Sequence, residues 1–152
     1  MLCPLKLNKL YYAIGLLLLV ACKPDPVVKL DAAPLIRITS VTPTTIREFD
    51  GRVSVVLQYE DGDGDMGSVH PDSLLLEVLD DRLTAPDYYF IQPLSPVGSS
   101  VPIQGTLNFK LNGTFIFGNG SFEETIYSIR LRDGSGKWSN KVNTPTILIN
   151  RN

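Results

Sequence analysis

Cysteine and histidine are scarce in this chain of 152 residues, which has two cysteines and one histidine. Both cysteines, Cys3 and Cys22, lie within the first 22 residues, so the rest of the chain has none. A domain formed by those later residues has no cysteine for a disulfide, a thiolate nucleophile or a zinc site. It must therefore be held together by its core alone.

An excess of basic residues is lacking as well. The chain has 14 basic and 16 acidic residues. Lys6 and Lys9 belong to the N-terminal segment that is assigned below to a signal peptide, and without them 12 basic residues stand against 16 acidic ones, a net charge of −4. This balance argues against a nucleic-acid partner. The stretch GSGK, Gly134 to Lys137, lacks the preceding glycine and the following Ser or Thr of a phosphate loop. No nucleotide is therefore expected.

Apolar runs are short: the one near the N-terminus covers twelve residues, Leu10 to Ala21, and follows the two lysines. Twelve helical residues rise only about 18 Å, well short of a hydrocarbon core of roughly 30 Å, so we expect no transmembrane span. The pattern is typical of a secretory signal peptide, which we assign to residues 1–21.

The end of this run, LVAC, resembles the bacterial lipobox, in which a small residue precedes a cysteine that receives lipid. The resemblance implies that Cys22 carries a covalent lipid and anchors the chain to a membrane of the bacterial cell envelope. Lys23 follows in place of the aspartate that retains some lipoproteins in the inner membrane, which favours the outer membrane. The alternative is an ordinary signal peptide that happens to end in a cysteine.

Residues 22–34 are interpreted as the lipidated cysteine and a tether, because Lys23 to Pro34 contains three prolines and no apolar periodicity. Residues 35–152 then show β patterns, with no helical stripe. Seven or eight short strands separated by turn residues predict an all-β fold, an antiparallel β-sandwich of the immunoglobulin-like kind. The runs that we assign to strands are Leu35–Val41, Arg52–Tyr59, Ser73–Leu79, Tyr88–Gln92, Thr106–Leu111, Thr114–Phe117, Thr125–Leu131 and Thr146–Ile149.

The last third of the chain resembles the final hairpin of bacterial immunoglobulin-like or fibronectin type III-like modules. Its residues are Tyr127 at the start of a strand, then Asp133, Gly136, Ser139 and Asn140. Together with YEDGDGDMG, Tyr59 to Gly67, this hairpin is similar to small lipoproteins of Bacteroidetes-type bacteria and to cadherin-like bacterial modules. The resemblance concerns architecture and specifies no ligand.

The acidic loop EDGDGDMG places Asp61, Asp63 and Asp65 at positions 1, 3 and 5 of an oxygen cage, the ligand type that Ca²⁺ prefers. Asp72 falls at position 12, where an EF-hand has its bidentate Glu. The loop is not an EF-hand, since strands flank it and Met66 replaces the glycine at position 6. In a sandwich Asp133 lies at the same pole and can close the cage. The alternative is a solvated turn whose aspartates cap backbone amides.

Trp138 is a candidate for contact with a protein or glycan partner, with packing on the hairpin as the alternative. No nucleophile, base or open metal site can be assembled from these residue types, so we expect no enzyme. The sequence predicts a lipid-anchored envelope module with a binding or assembly role, stabilised by calcium. The alternatives are a structural spacer or accessory subunit and, less favoured, a hydrolase.

Overall fold

The computed structural model describes residues 30–49 and 52–152, and these form ten β-strands without a helix. No helix in the described part is therefore long and apolar enough to span a membrane. The predicted signal peptide, Cys22 and residues 23–29 of the tether lie outside the described residues. The strands are β1 Leu35–Thr42, β2 Thr45–Arg47, β3 Ser54–Asp61, β4 Leu74–Asp80, β5 Asp87–Phe90, β6 Ile103–Lys110, β7 Phe122–Thr125, β8 Tyr127–Leu131, β9 Val142–Asn143 and β10 Ile147–Asn150.

The described strands form three sheets in which antiparallel pairing dominates. The first sheet has the order β1-β3-β6, the second β2-β10-β7 and the third β5-β4-β8-β9. The β2–β10 pair is parallel. One hydrophobic core joins all three sheets. The predicted all-β, sandwich-like class is confirmed, with ten strands rather than seven or eight.

Alternation along the strands explains which side chains enter this core. On β3, Val55, Leu57 and Tyr59 are buried while Gln58 is exposed, as a period of two requires. The central strand β4 is buried at four consecutive positions from Leu75 to Val78, because it packs on both of its faces. Each large apolar side chain in this core contributes about 1.5 to 3 kcal/mol.

Thr114–Phe117 alternates in burial like a strand but is not one, so its assignment to a strand is wrong. Its backbone groups bond mainly to side chains instead of to a neighbouring strand. Glu48 and Glu123 accept the amide protons of Ile116 and Phe117, and the Arg82 guanidinium donates to the carbonyl of Phe115. These side chains satisfy backbone groups that a neighbouring strand would otherwise satisfy.

The run Thr125–Leu131 is divided at Ile126, which separates β7 from β8. The Ile126 amide donates to the Asp81 carboxylate, and the Ile126 carbonyl accepts the Asp81 amide. The chain thereby changes from pairing with β10 to pairing with β4. The sequence shows this as a single alternating run because apolar spacing does not record which sheet a strand joins.

Turn chemistry is only partly as predicted. The pairs Asn112-Gly113, Asn119-Gly120 and Asp133-Gly134 predict tight turns with a positive φ at each glycine, but none of these three glycines has one. In the turn after Asp133 the left-handed residue is Gly136, with φ 90°. Asp50-Gly51 lies outside the described residues.

Candidate metal site

The acidic loop begins at Asp61, the last residue of β3, which pairs with Ile103 of β6. Five residues on, Met66 inserts its side chain into the core and is only 1% exposed. A side chain at Gly64 would collide with the carbonyl of Val101, and the φ of Gly64 is +72°. The loop is therefore packed against the domain at both ends, unlike a solvated turn.

Asp133 reaches the same pole from β8. Its Oδ1 accepts bonds from the Lys137 amide at 2.7 Å and from the Ser135 hydroxyl at 2.9 Å, which closes a tight turn. The Gly134 amide donates to the carbonyl of Asp65 at 3.0 Å and ties this turn to the acidic loop. Two loops distant in sequence thus hold their aspartates together.

Four aspartates converge between the two loops: Asp61, Asp63, Asp65 and Asp133. One carboxylate oxygen from each lies within 4.8 Å of the other three. Asp61 and Asp133 are buried, with exposures of 0% and 1%. Each of the four also has one buried oxygen without a hydrogen-bond partner. A group of carboxylates arranged in this way could hold a metal ion.

Asp72, the fifth predicted ligand, does not join this group. It lies in an exposed turn just before β4, where its carbonyl accepts the amide of Leu74 at 3.2 Å. In an EF-hand, position 12 is a ligand of the cage because the helix that follows the loop holds this residue beside the ion. Here the chain instead leaves the loop to form β4, and Asp133 from another strand takes the fourth place.

Lys137 supplies a counter-charge at the rim of the cage. Its ammonium lies 2.9 Å from Asp63 Oδ2 and 3.9 Å from Asp133 Oδ2, and it donates to the carbonyl of Ala32 at 3.3 Å. With four carboxylates and one ammonium, the cage keeps a formal charge of −3. The Gly62 amide also donates to the carbonyl of Asp31, so the residues before β1 pack on this pole.

The electrostatics of the ion-free cage are unfavourable for Asp61. Burial, with the nearby charges of Asp63 and Asp65, raises the pKa of Asp61 to about 6. Burial and the charge of Asp133 raise the pKa of Asp65 as well. The hydrogen bond from Lys137 instead lowers the pKa of Asp63. A cation inside the cage would relieve this repulsion.

Trp138 packs on the hairpin. The guanidinium of Arg130 lies 4.0 Å from its ring centroid and that of Arg132 lies 5.4 Å away. Arg130 is fixed in turn by two 2.7 Å bonds to Glu77. This arrangement favours the packing alternative for Trp138 over contact with a partner.

Two features of this pole leave little signal in the sequence. The role of Lys137 was indicated only by its position four residues after Asp133. The bridge from Asn140 to β1, through both the amide and the carbonyl of Ile36, joins residues 104 apart. Such long-range pairs leave no local signal.

Comparisons with protein-family models, with curated proteins and with solved structures gave no match to this chain.

Proposed function

We propose that this chain is a lipid-anchored, non-catalytic module of the bacterial cell envelope whose β-sandwich is stabilised by one Ca²⁺. The observation that carries the calcium site is the set of four buried carboxylate oxygens without partners, one from each converging aspartate. An unpaired buried carboxylate oxygen is costly. Four such oxygens on aspartates whose carboxylates converge are explained by a cation that the aspartates share.

The chemistry of the ligands favours calcium among the common cations. All four are hard oxygens, without the nitrogen or sulfur that zinc prefers. Ca²⁺ bonds of about 2.3 to 2.6 Å place opposite ligands roughly 4.6 to 5.2 Å apart. The spread of the four oxygens, up to 4.8 Å, matches this size. Mg²⁺, with bonds of about 2.0 to 2.1 Å, would require a tighter cage.

Membrane attachment is supported by the lipobox-like LVAC and the preceding apolar run. The described chain begins at the calcium pole, since Asp31 and Ala32 bond to Gly62 and Lys137. An ion there would stiffen the point where the predicted tether joins the sandwich. This arrangement agrees with a binding or assembly role, because it directs the opposite pole of the sandwich away from the membrane anchor.

The experiment is a calcium titration by calorimetry on the full-length chain in mild detergent, with the melting temperature followed in parallel. We expect one Ca²⁺ per chain and, at a hundredfold excess over Kd, a rise in the melting temperature of about 10 °C. Asp65→Asn should abolish both effects. The matched control is Asp72→Asn, which changes an aspartate outside the cage and should bind as the wild type does.

Absence of heat and of any thermal shift in the wild type would contradict the calcium site, as would equal losses in Asp65→Asn and Asp72→Asn. The anchor is tested separately by labelling cells with an alkyne fatty acid. Incorporation into the wild type and not into Cys22→Ser is expected, and equal incorporation in both would contradict lipidation of Cys22.

A further inference from the structure

The first sheet ends in a strand with a free edge. In the order β1-β3-β6, β6 bonds to β3 on one side only. Its eight residues pair with β3 without a register shift, and no proline interrupts them. Proteins commonly protect such an edge with a bulge, a proline or charged side chains, or keep the edge strand short, because free backbone groups bind other strands. The only charged residue of β6 is Lys110, at its end.

The other edge strands of the described sheets are protected. β2, β5, β7 and β9 have only two to four residues each. β1 has a register shift between Ile38 and Ser40, and Asn140 bonds to both backbone groups of Ile36. Within the described part of the chain, β6 is therefore the longest edge that carries no device against strand pairing.

The ladder to β3 shows which backbone groups of β6 face outward. The amide of Leu111 donates to the carbonyl of Val53 at 2.9 Å, and this pair continues the β3–β6 register. Because hydrogen-bonded pairs alternate along an antiparallel ladder, the odd-numbered residues of β6 bond to β3. The even-numbered residues direct their amides and carbonyls away from β3, and no described residue bonds to these groups. They belong to Gln104, Thr106, Asn108 and Lys110.

We propose that β6 pairs antiparallel with β6 of a second copy of this chain, so that two three-stranded sheets join into one. With Leu107 facing Leu107 of the second copy, Thr106 pairs with Asn108 and Gln104 pairs with Lys110. Each of the four outward residues then exchanges its amide and carbonyl bonds with a residue of the other copy. Every outward group of the edge is satisfied by this pairing.

The neighbouring registers are less favourable. A shift by one step in one direction brings in Pro102, which has no amide to donate. A shift in the other direction brings in Asn112, whose amide already donates to the Tyr89 hydroxyl at 3.1 Å. The pairing centred on Leu107 is therefore the one in which all outward groups find partners.

Charge complementarity favours a second copy as the occupant of this edge. Glu60 of β3 pairs with Gln104, at the opposite end of β6 from Lys110. Within the described chain neither Glu60 nor Lys110 forms an ion pair. In the dimer Lys110 lies beside Gln104 of the second copy, one strand away from the Glu60 of that copy. The twofold symmetry brings these opposite charges together twice and places no like charges side by side.

The other face of β6 adds apolar contact. Leu107 and Phe109 pack against the core but are only partly buried, since no strand lies beyond them. In the dimer the two Leu107 side chains meet, and Phe109 lies opposite Gly105 of the second copy. The Tyr59 hydroxyl lies 2.6 Å from the position of a Cβ at Gly105, so Phe109 meets an aromatic ring there. This interface goes beyond the proposed function, because it requires neither the calcium ligands nor the lipid.

The test combines disulfide cross-linking with sedimentation equilibrium of the full-length chain in detergent that matches the solvent density. The Cα atoms of a non-hydrogen-bonded antiparallel pair are about 4.5 Å apart, within the range of a disulfide. Leu107→Cys should therefore form a covalent dimer under mild oxidation. The control Gln58→Cys, exposed in the middle of β3, should not. We expect the wild type to dimerise with a Kd of roughly 10 to 100 µM, because one strand pair is a small interface.

Two substitutions test the pairing itself. Thr106→Pro removes an outward amide and leaves the ladder to β3 intact, so it should raise the Kd of the dimer at least about tenfold. Lys110→Glu places a negative charge near Glu60 of the second copy and should raise this Kd about fivefold. Adding Glu60→Lys to Lys110→Glu should restore the wild-type Kd. A general loss of folding would not be reversed by the second substitution.

A wild type that stays monomeric far above the expected Kd would overturn the proposal. A dimer that Thr106→Pro leaves unchanged, or equal cross-linking of Leu107→Cys and Gln58→Cys, would also overturn it. Each measurement is made with calcium and with EDTA. Dimers are expected in both, and a dimer seen only with calcium would contradict an interface formed by β6 alone.

Discussion

Replacing Asp61 by asparagine should stabilise the ion-free protein although it removes a buried native carboxylate. The pKa of Asp61 rises from 3.8 to about 6 on folding. At about 1.4 kcal/mol per pH unit, its ionised form costs the folded state up to about 3 kcal/mol at neutral pH. The neutral asparagine of the Asp61→Asn variant carries no such cost, and its amide can donate to the unpartnered oxygens of the other aspartates.

The direction in which this stability changes with pH follows from proton linkage. A raised pKa means that the folded state holds the proton more tightly, so this stability is present below about pH 4 and is lost as the pH rises through 6. In EDTA at pH 7.5 we expect Asp61→Asn to gain about 2 to 3 kcal/mol, or about 10 °C in melting temperature. At pH 4 the gain should vanish. With calcium the order should reverse, because the variant cannot bind the ion.

The assay is urea denaturation of the wild type, Asp61→Asn and Asp72→Asn at a series of pH values, each in EDTA and in calcium. Asp72→Asn, outside the cage, should follow the wild type throughout. If Asp61→Asn were less stable than the wild type in EDTA at pH 7.5, the argument that the ion-free aspartates repel one another would be refuted.

Three further predictions concern single side chains. Lys137→Met should lower the Kd for calcium about fivefold, since no ammonium then competes for Asp63 and Asp133. Calorimetry measures this Kd, with Lys141→Met as the control variant. An unchanged Kd in Lys137→Met would contradict the prediction. Gly64→Ala should cost more than about 2 kcal/mol in urea denaturation, through its φ of +72° and the collision with Val101. Gly98→Ala, with φ +80° and open space around it, should cost about 1 kcal/mol, and equal costs would refute the collision. Arg82→Ala should cost about 3 to 5 kcal/mol because it leaves Asp80 buried without its ion-pair partner. Arg47→Ala, which changes an exposed arginine of β2, is the comparison and should cost far less.

Much of the fold could be predicted because burial on one face imposes a period of two on the strands. β1, β3 and β4 coincide with predicted runs to within two residues at each end. β2 and β9 were not predicted, since three and two residues are too few to show a period. Thr114–Phe117 shows the period without a partner strand, because distant side chains satisfy its backbone.

The part of the candidate site that comes from one loop could be predicted, because the spacing of its aspartates is visible in the sequence. Asp61, Asp63 and Asp65 stand in one loop, and Asp133 was placed beside them by strand order. The EF-hand spacing rule wrongly included Asp72, because that rule applies to a loop flanked by helices.

The central claim is that Asp61, Asp63, Asp65 and Asp133 hold one Ca²⁺. The most direct test is a crystal structure of the protein grown with calcium, with anomalous scattering used to locate the ion. The account predicts one calcium peak at about 2.3 to 2.6 Å from an oxygen of each of the four aspartates, with the Lys137 ammonium moved away from Asp63. A cage without an ion, with Lys137 still bonded to Asp63, would contradict it.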